Sequence, residues 1–240
     1  MQFIAQVSDK TVANDRSRTE GFLSRSSIAK AFDRSRFREV RFRTYVAPIL
    51  EAIIERKGSC NILDMGGDPE CWQDEALPQA VQITILNIEL KEKPADPRFE
   101  IMQGDARDVP HLASGRFDFV YSNSLIEHVG RWSDMKRTAA EIRRLAPTYY
   151  VQTPNYWFPV DPHSNMPLLH WLPLPIQRRI VSAKARGFYK KPESFDEAMG
   201  IIDGTSMLDR KQMAELFPDA EVLAEPFLFF TKSFMAIKPP

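Results

Sequence analysis

The chain has 240 residues, of which 43% are hydrophobic, 27% charged and 11% aromatic, enough to bury one substantial core without covalent staples. Lys plus Arg and Asp plus Glu each total 32, so the formal net charge is zero. A strongly basic nucleic-acid binder and an acidic, solvating disordered chain both fit poorly with that balance. Two cysteines, Cys60 and Cys71, make no disulfide framework and have no metal-ligand spacing, so a reducing compartment and no bound metal are expected.

In chain order, residues 1–24 are polar and without periodicity, and they lack the basic start and apolar run of a targeting signal. No later run reaches the roughly 18 apolar residues of a membrane span, so a cytoplasmic location is the expectation. From Arg25 to Arg43 the chain is rich in arginine, and Arg34, Arg38 and Arg41 share one face at helical spacing. Residues 45–56 have helical apolar spacing and end near Gly58, a C-terminal cap. Residues 61–65, 81–88, 99–102, 117–122 and 149–152 read as strands, the first broken by Gly66 and Gly67. The spacing predicts a helix over 133–145 with Ser133 as N-cap, and another over 209–216. Residues 155–204 are Pro-rich, aromatic and irregular, with short helices and a second basic stretch at 178–191. The final FLFFTKSFMAIK reads as antiparallel strand material.

Strands alternating with helices or long connections argue for an α/β, doubly wound sheet with an antiparallel finish. Ligands of such sheets bind outside the carboxyl ends of the strands. There the first strand offers Asp64-Met65-Gly66-Gly67, the second Asn87 and Glu89, the third Gly104-Asp105-Ala106, and the fourth Asn123-Ser124-Leu125-Ile126-Glu127-His128. Glycines at the first turn let the backbone approach a ligand closely. Asn87 stands about 20 residues beyond that turn, where this architecture meets ribose hydroxyls; the alternative is that it caps a turn. The dinucleotide pattern G-x-G-x-x-G is absent, which disfavours an NAD(P)-dependent oxidoreductase.

The pieces ILDMGG, LNIE, QGDARDVP and RFDFVYSNSLIEHV, with the ending LFPDAEVLAEPFLFFTKSFMAIK, together resemble the class I S-adenosylmethionine-dependent methyltransferases, type 11-like, in a subgroup whose first turn reads GG-x-P followed by a Trp, here Trp72. The resemblance implies a Rossmann-like, mainly parallel seven-stranded sheet with an antiparallel C-terminal hairpin and a small helical insert or lid. It divides the chain into an N-terminal extension or helical cap, 1–44, and a methyltransferase domain, 45–240, with a substrate-side insert at 155–204. It also implies S-adenosyl-L-methionine as cofactor. Asp64, Gly66 and Gly67 would hold its methionine end, Asn87 the ribose, Asp105 with Ala106 the adenine, and Asn123 with Leu125 would lie beside the sulfonium. The family's D-x-G-x-G-x-G departs here to Asp64, Gly66, Asp68 and Glu70.

Methyl transfer relies on positioning, plus a base where the acceptor is a hydroxyl or a protonated amine. His163, beside Asp161 on a Pro-stiffened loop after the fifth strand, is the favoured catalytic base, and His128 is a second candidate. Tyr156, Trp157, Phe158 and Trp171 could wall an acceptor pocket. Arg38 and Arg41 could grip phosphate or carboxylate on the acceptor, the alternative being a solvated helix face. The expected reaction is methyl transfer to oxygen, less so nitrogen, of a small molecule or glycan; a non-catalytic methyltransferase-like binder is the main alternative, and nucleic acid is a minor one.

Overall fold

The computed structural model describes residues 34–72 and 77–240. The polar N-terminal residues, the start of the first basic stretch, and Asp74 and Glu75 therefore lie outside the described residues. Helix α1 (Arg34–Arg41) runs into a π-helical turn, Phe42–Val46, and on into α2 (Ala47–Lys57). Pro48 explains the change of pitch: it has no N–H to give the preceding turn, and its ring needs the room that wider winding supplies. The helix thus starts earlier than its apolar spacing suggests, because α1 has only a narrow buried edge. Its end is the expected one: Gly58 is left-handed (φ 81°) and donates its N–H to the Ile54 carbonyl at 2.7 Å.

Seven strands form one sheet: β1 (Cys60–Met65), β2 (Val81–Asn87), β3 (Phe99–Gln103), β4 (Phe119–Asn123), β5 (Thr148–Pro154), β8 (Glu221–Phe227) and β9 (Phe230–Lys238). Their order is β3-β2-β1-β4-β5-β9-β8. The first five are parallel, in a register that pairs Leu63 with Val120 and Tyr121 with Tyr150. β9 lies antiparallel between β5 and β8 and pairs Val151 with Ala236. Both faces are buried, which is why the central strands read as continuous apolar runs. On one face Ile62, Phe119, Tyr121, Tyr150 and Met235 pack under Val46, Leu50 and Ile53 of the long helix. On the other, Leu63, Val120, Tyr149 and Ala236 pack under helices α3 (Trp132–Leu145) and α6 (Arg210–Leu216).

Ser133 is not the N-cap of α3. The helix begins at Trp132, and the Asp134 carboxylate reaches back to accept the Arg131 N–H at 3.0 Å. An acid inside the first turn thus does what a preceding hydroxyl would have done. At α6 Asp209 is the cap, in a reciprocal pair with Gln212. The insert, 155–204, holds a two-strand pair, β6 (Val160–Asp161) with β7 (Met166–Pro167), then α4 (Leu174–Ala183) and α5 (Phe195–Asp203).

One ionic clasp joins helix to sheet edge. Arg41 Nη1 donates to both Glu225 oxygens, at 3.0 and 3.1 Å, and Nη2 donates to Asn123 Oδ1 at 3.1 Å. Both charged side chains are only 9% exposed. Ser233 Oγ adds a donor to Glu225 at 2.7 Å. Arg41 is therefore not on a solvated helix face, although Arg36 and Arg43 are exposed. Glu225→Ala leaves this guanidinium buried without its anion, and a cost of about 3–5 kcal/mol is expected. Urea unfolding measures it, and a loss under about 1 kcal/mol would mean that the pair is solvated in solution.

Candidate active site

The carboxyl ends of β1, β2, β3 and β4 bring Asp64, Asn87, Asp105 and Asn123 to one side of the sheet. β1 ends at a tight turn in which Gly66 has φ 79°, open to glycine at little cost. What the missing side chains make room for is protein. A Cβ on Gly66 would stand 2.6 Å from Leu125 Cδ1, and one on Gly67 would overlap the Asp64 carboxylate. Asp64 lies beneath the turn, 1% exposed, and Oδ2 accepts the Trp72 indole N–H at 2.7 Å. Oδ1 is buried without a hydrogen-bond partner. Burial pushes the acid up to about 7; the Trp72 hydrogen bond opposes this and the charge of Asp68 adds to it.

Asn87 spans the same turn: its amide donates to the Gly67 carbonyl at 3.0 Å, and its oxygen accepts the Glu89 N–H at 3.3 Å. The turn-capping alternative thus describes its contacts, while one amide hydrogen and one lone pair remain for a ligand. Asp105 is engaged more fully. Its Oδ1 accepts the backbone N–H and Nε of Arg107, both at 2.9 Å, and Oδ2 takes the guanidinium as well. Those hydrogen bonds hold the carboxyl below the usual range, against partial desolvation.

Beside this edge, over β4 and β5, is a cavity of about 470 Å³. Arg38, Arg41, Lys232, His128, His163 and Phe158 line it, with Asn123, Ser124 and Gln152 at the strand ends. Ser124 is left-handed (φ 58°) and is held there by Gln152, which accepts its N–H at 3.0 Å and its hydroxyl at 3.1 Å. Arg38 donates to Cys71 Sγ at 2.9 Å, and the Lys232 ammonium sits 3.4 Å from the Phe37 ring centroid. Glu225, paired with Arg41, is also 3.5 Å from Lys232.

Asp161 and His163 meet. Asp161 Oδ1 accepts the His163 backbone N–H at 2.9 Å and bonds its Nδ1 at 3.2 Å, and Oδ2 accepts the Ser164 hydroxyl at 2.6 Å. Burial raises the Asp161 carboxyl, but the His163 and Ser164 donors prevail and hold it low. His128 stacks edge-on to His163 with ring centroids 4.8 Å apart, and its Nδ1 bonds the Gly204 carbonyl at 2.9 Å. The loop carrying His163 is pinned by Gly187 (φ 54°), where a side chain would overlap the His163 carbonyl, and by the Phe188 N–H, donated to that carbonyl at 2.9 Å.

Other expected pocket residues lie elsewhere. Tyr156 and Asp161 line an adjoining cavity of about 340 Å³ under the insert. Trp157 is 62% exposed and packs edge-on to Tyr156, so it does not wall the larger cavity. In the second basic stretch, Arg178 sits over the Phe195 ring and Arg186 bonds Ile180 and Met166, contacts internal to the insert. Gln152 and Lys232 were not expected at the site: they are distant in sequence, and only the sheet brings them to the cavity.

A sequence model of the family described as "Methyltransferase domain" matches residues 76–147, from the approach to β2 to just beyond α3. Over that segment the chain is similar to a methyltransferase domain. Two uncharacterized proteins of Mycobacterium tuberculosis, from two strains, are 34% identical over 56 residues, a segment that is 23% of this chain and 19% of either relative. Among solved structures, magnesium protoporphyrin IX methyltransferase from Synechocystis is 10% identical over 92% of this chain and 90% of its own, with a TM-score of 0.49. A putative Zn-dependent alcohol dehydrogenase from Rhodobacter sphaeroides also has a TM-score of 0.49, at 13% identity over 75% of this chain and 83% of its own. At TM-scores below 0.5 these likenesses carry no inference about the reaction.

The methyl donor of such a domain is S-adenosyl-L-methionine. The turn after β1 fits it: a positive-φ glycine, an acid with an unpartnered oxygen under the turn, and spare valences on Asn87. The Asp105 carboxylate fits less well, being taken up by Arg107.

Asp64 gives a pH signature. Its folded value near 7 lies above the unfolded value of about 3.9, so the stability it contributes is present below about pH 4 and is lost as pH rises through 7. Asp64→Asn removes that dependence. The variant's stability relative to the native chain is expected to grow by about 4 kcal/mol between about pH 4 and pH 8, measured by urea unfolding without donor. Parallel pH profiles would show an ionised Asp64.

Proposed function

We propose that this chain moves a methyl group from S-adenosyl-L-methionine to an oxygen of a small or glycan acceptor, preferably an anionic one, seated in the cavity over β4 and β5. The observation that carries the reading is the His163–Asp161 pair, with His163 lining the same cavity as Arg38, Arg41 and Lys232. The Gly66–Gly67 turn, Asn87, the Ala106 backbone, Asn123 and Leu125 are the residues assigned to the donor. When bound, the donor supplies an electrophilic methyl on a sulfonium. Every other part of the task falls to the protein: to hold the acceptor oxygen in line, to exclude water and to receive a proton.

His163 serves the last of these. The Asp161 carboxylate accepts a hydrogen bond from its Nδ1–H, which fixes the tautomer and leaves the Nε2 lone pair available to the acceptor hydroxyl. The presence of Arg38, Arg41 and Lys232 together on the lining supports an acceptor bearing carboxylate or phosphate. Phe158 and Phe188 supply the aromatic part of the apolar lining, beside Pro154, Val160 and Pro162.

His163→Ala is expected to lower turnover by about 10²–10⁴-fold while leaving S-adenosylhomocysteine affinity within about twofold, read by calorimetry and by transfer of labelled methyl to a panel of hydroxylated anionic acceptors. Unchanged turnover removes the residue from the mechanism. A second reading, a methyltransferase-like binder without turnover, is favoured by the engagement of Asp105 with Arg107. Failure of the intact chain to bind S-adenosylhomocysteine would decide for it.

A further inference from the structure

We infer that Glu127, His128 and His163 form a binding site for one divalent first-row transition cation of the zinc or iron type. One ligand atom from each of these side chains can be chosen so that all three lie within 4.8 Å of one another. The orientation of each points to the same conclusion. Glu127 is 1% exposed; its Oε2 accepts the Thr153 hydroxyl at 3.0 Å, while Oε1 is buried with no hydrogen-bond partner. An unpartnered carboxylate oxygen away from water is costly. The nearest cationic candidate is His128 Nε2, 4.0 Å away, too far for a hydrogen bond.

Both imidazoles are set up as ligands. The Gly204 carbonyl can only accept, so His128 carries its proton on Nδ1 and its Nε2 lone pair is free. The Asp161 carboxylate does the same for His163. A histidine whose far nitrogen donates to a carbonyl or carboxylate is the usual arrangement behind a metal ion, because it fixes ring orientation and raises ligand basicity. Two imidazoles and one carboxylate, with a further position open, suit zinc or iron rather than magnesium or calcium, which prefer all-oxygen sets. Bonds of about 2.1 Å place tetrahedral ligands about 3.4 Å apart, so the three atoms draw in by roughly an ångström on binding.

The site is built from two segments. Glu127 and His128 share the 3-10 turn that follows β4, and His163 comes from the β6–β7 loop. A cation therefore ties the insert to the sheet, and with His128 and His163 on the cavity wall its open position is available to an oxygen of the acceptor. This use of the cation rests on the function proposed above, whereas its binding does not. In the loaded protein His163 Nε2 is a ligand, and an oxygen bound to the cation gives up its proton to solvent at lower pH than when free.

The test uses the full chain, stripped with a chelator and free of donor and acceptor. Titration with Zn2+ against a chromophoric chelator is expected to show one tight equivalent, and Co2+ to give the visible absorption of a low-coordinate N/O site. His163→Ala and Glu127→Gln should each abolish that equivalent, and Asp161→Asn should weaken it by about 10–100-fold, with unfolding midpoints recorded for all. Should Glu127→Gln fail to fold, His163→Ala carries the test. No binding by the native chain, or equal binding by His163→Ala, overturns the inference. S-adenosylhomocysteine calorimetry on the same metal-free samples reports separately on the methyltransferase reading.

Discussion

The buried pair of Arg41 and Glu225 is the constraint on which the cavity depends. One guanidinium reaches the end of α1, the antiparallel edge through Glu225, and the carboxyl end of β4 through Asn123. Two buried charges are tolerable only because nearly every hydrogen bond around them is made, and that requirement fixes where α1 lies. Arg38, one turn earlier, and Lys232, on the opposite strand, reach the cavity because of that placement. The basic wall is thus a by-product of a structural clasp.

A second regularity concerns buried polar atoms. Most of those left without a partner among the described residues, Asp64 Oδ1, Glu127 Oε1 and Arg41 Nε, belong to side chains gathered at the carboxyl side of β1 and β4. Buried polar groups elsewhere are paired as a rule, since an orphan costs stability. Their concentration at the edge where open α/β sheets bind ligands fits a site whose last valences are filled by what it binds.

The fold was largely legible because parallel strands buried on both faces leave continuous apolar runs such as ITIL and FVY between turn residues. The site was legible only where its partners are near in sequence. Asp161 and His163 are two residues apart, and their pairing could be anticipated from that spacing. Arg41 and Glu225 are 184 residues apart, and no local pattern tells a clasped arginine from a solvated one. The glycine turn has in addition a packing role: Gly66 and Gly67 make room for Leu125 and Asp64, a relation that composition does not carry. Trp157 and Tyr156, adjacent in the chain, part ways because the chain turns between them, leaving one at a cavity and the other largely in solvent.

The π-helical turn at Phe42–Val46 has a consequence for how this protein can change over generations. It stands between two helical stretches whose rotational phases are each set by a separate requirement: Arg41 must meet Glu225, and Leu50 with Ile53 must face the sheet. Removing one residue there would turn α1 by about 100° relative to α2, swinging the guanidinium off its partner while leaving the apolar stripe in place. Related chains are therefore expected to vary freely in side chain across this turn and yet keep its length, so that an alignment gap inside it marks a protein whose cavity is walled by other residues.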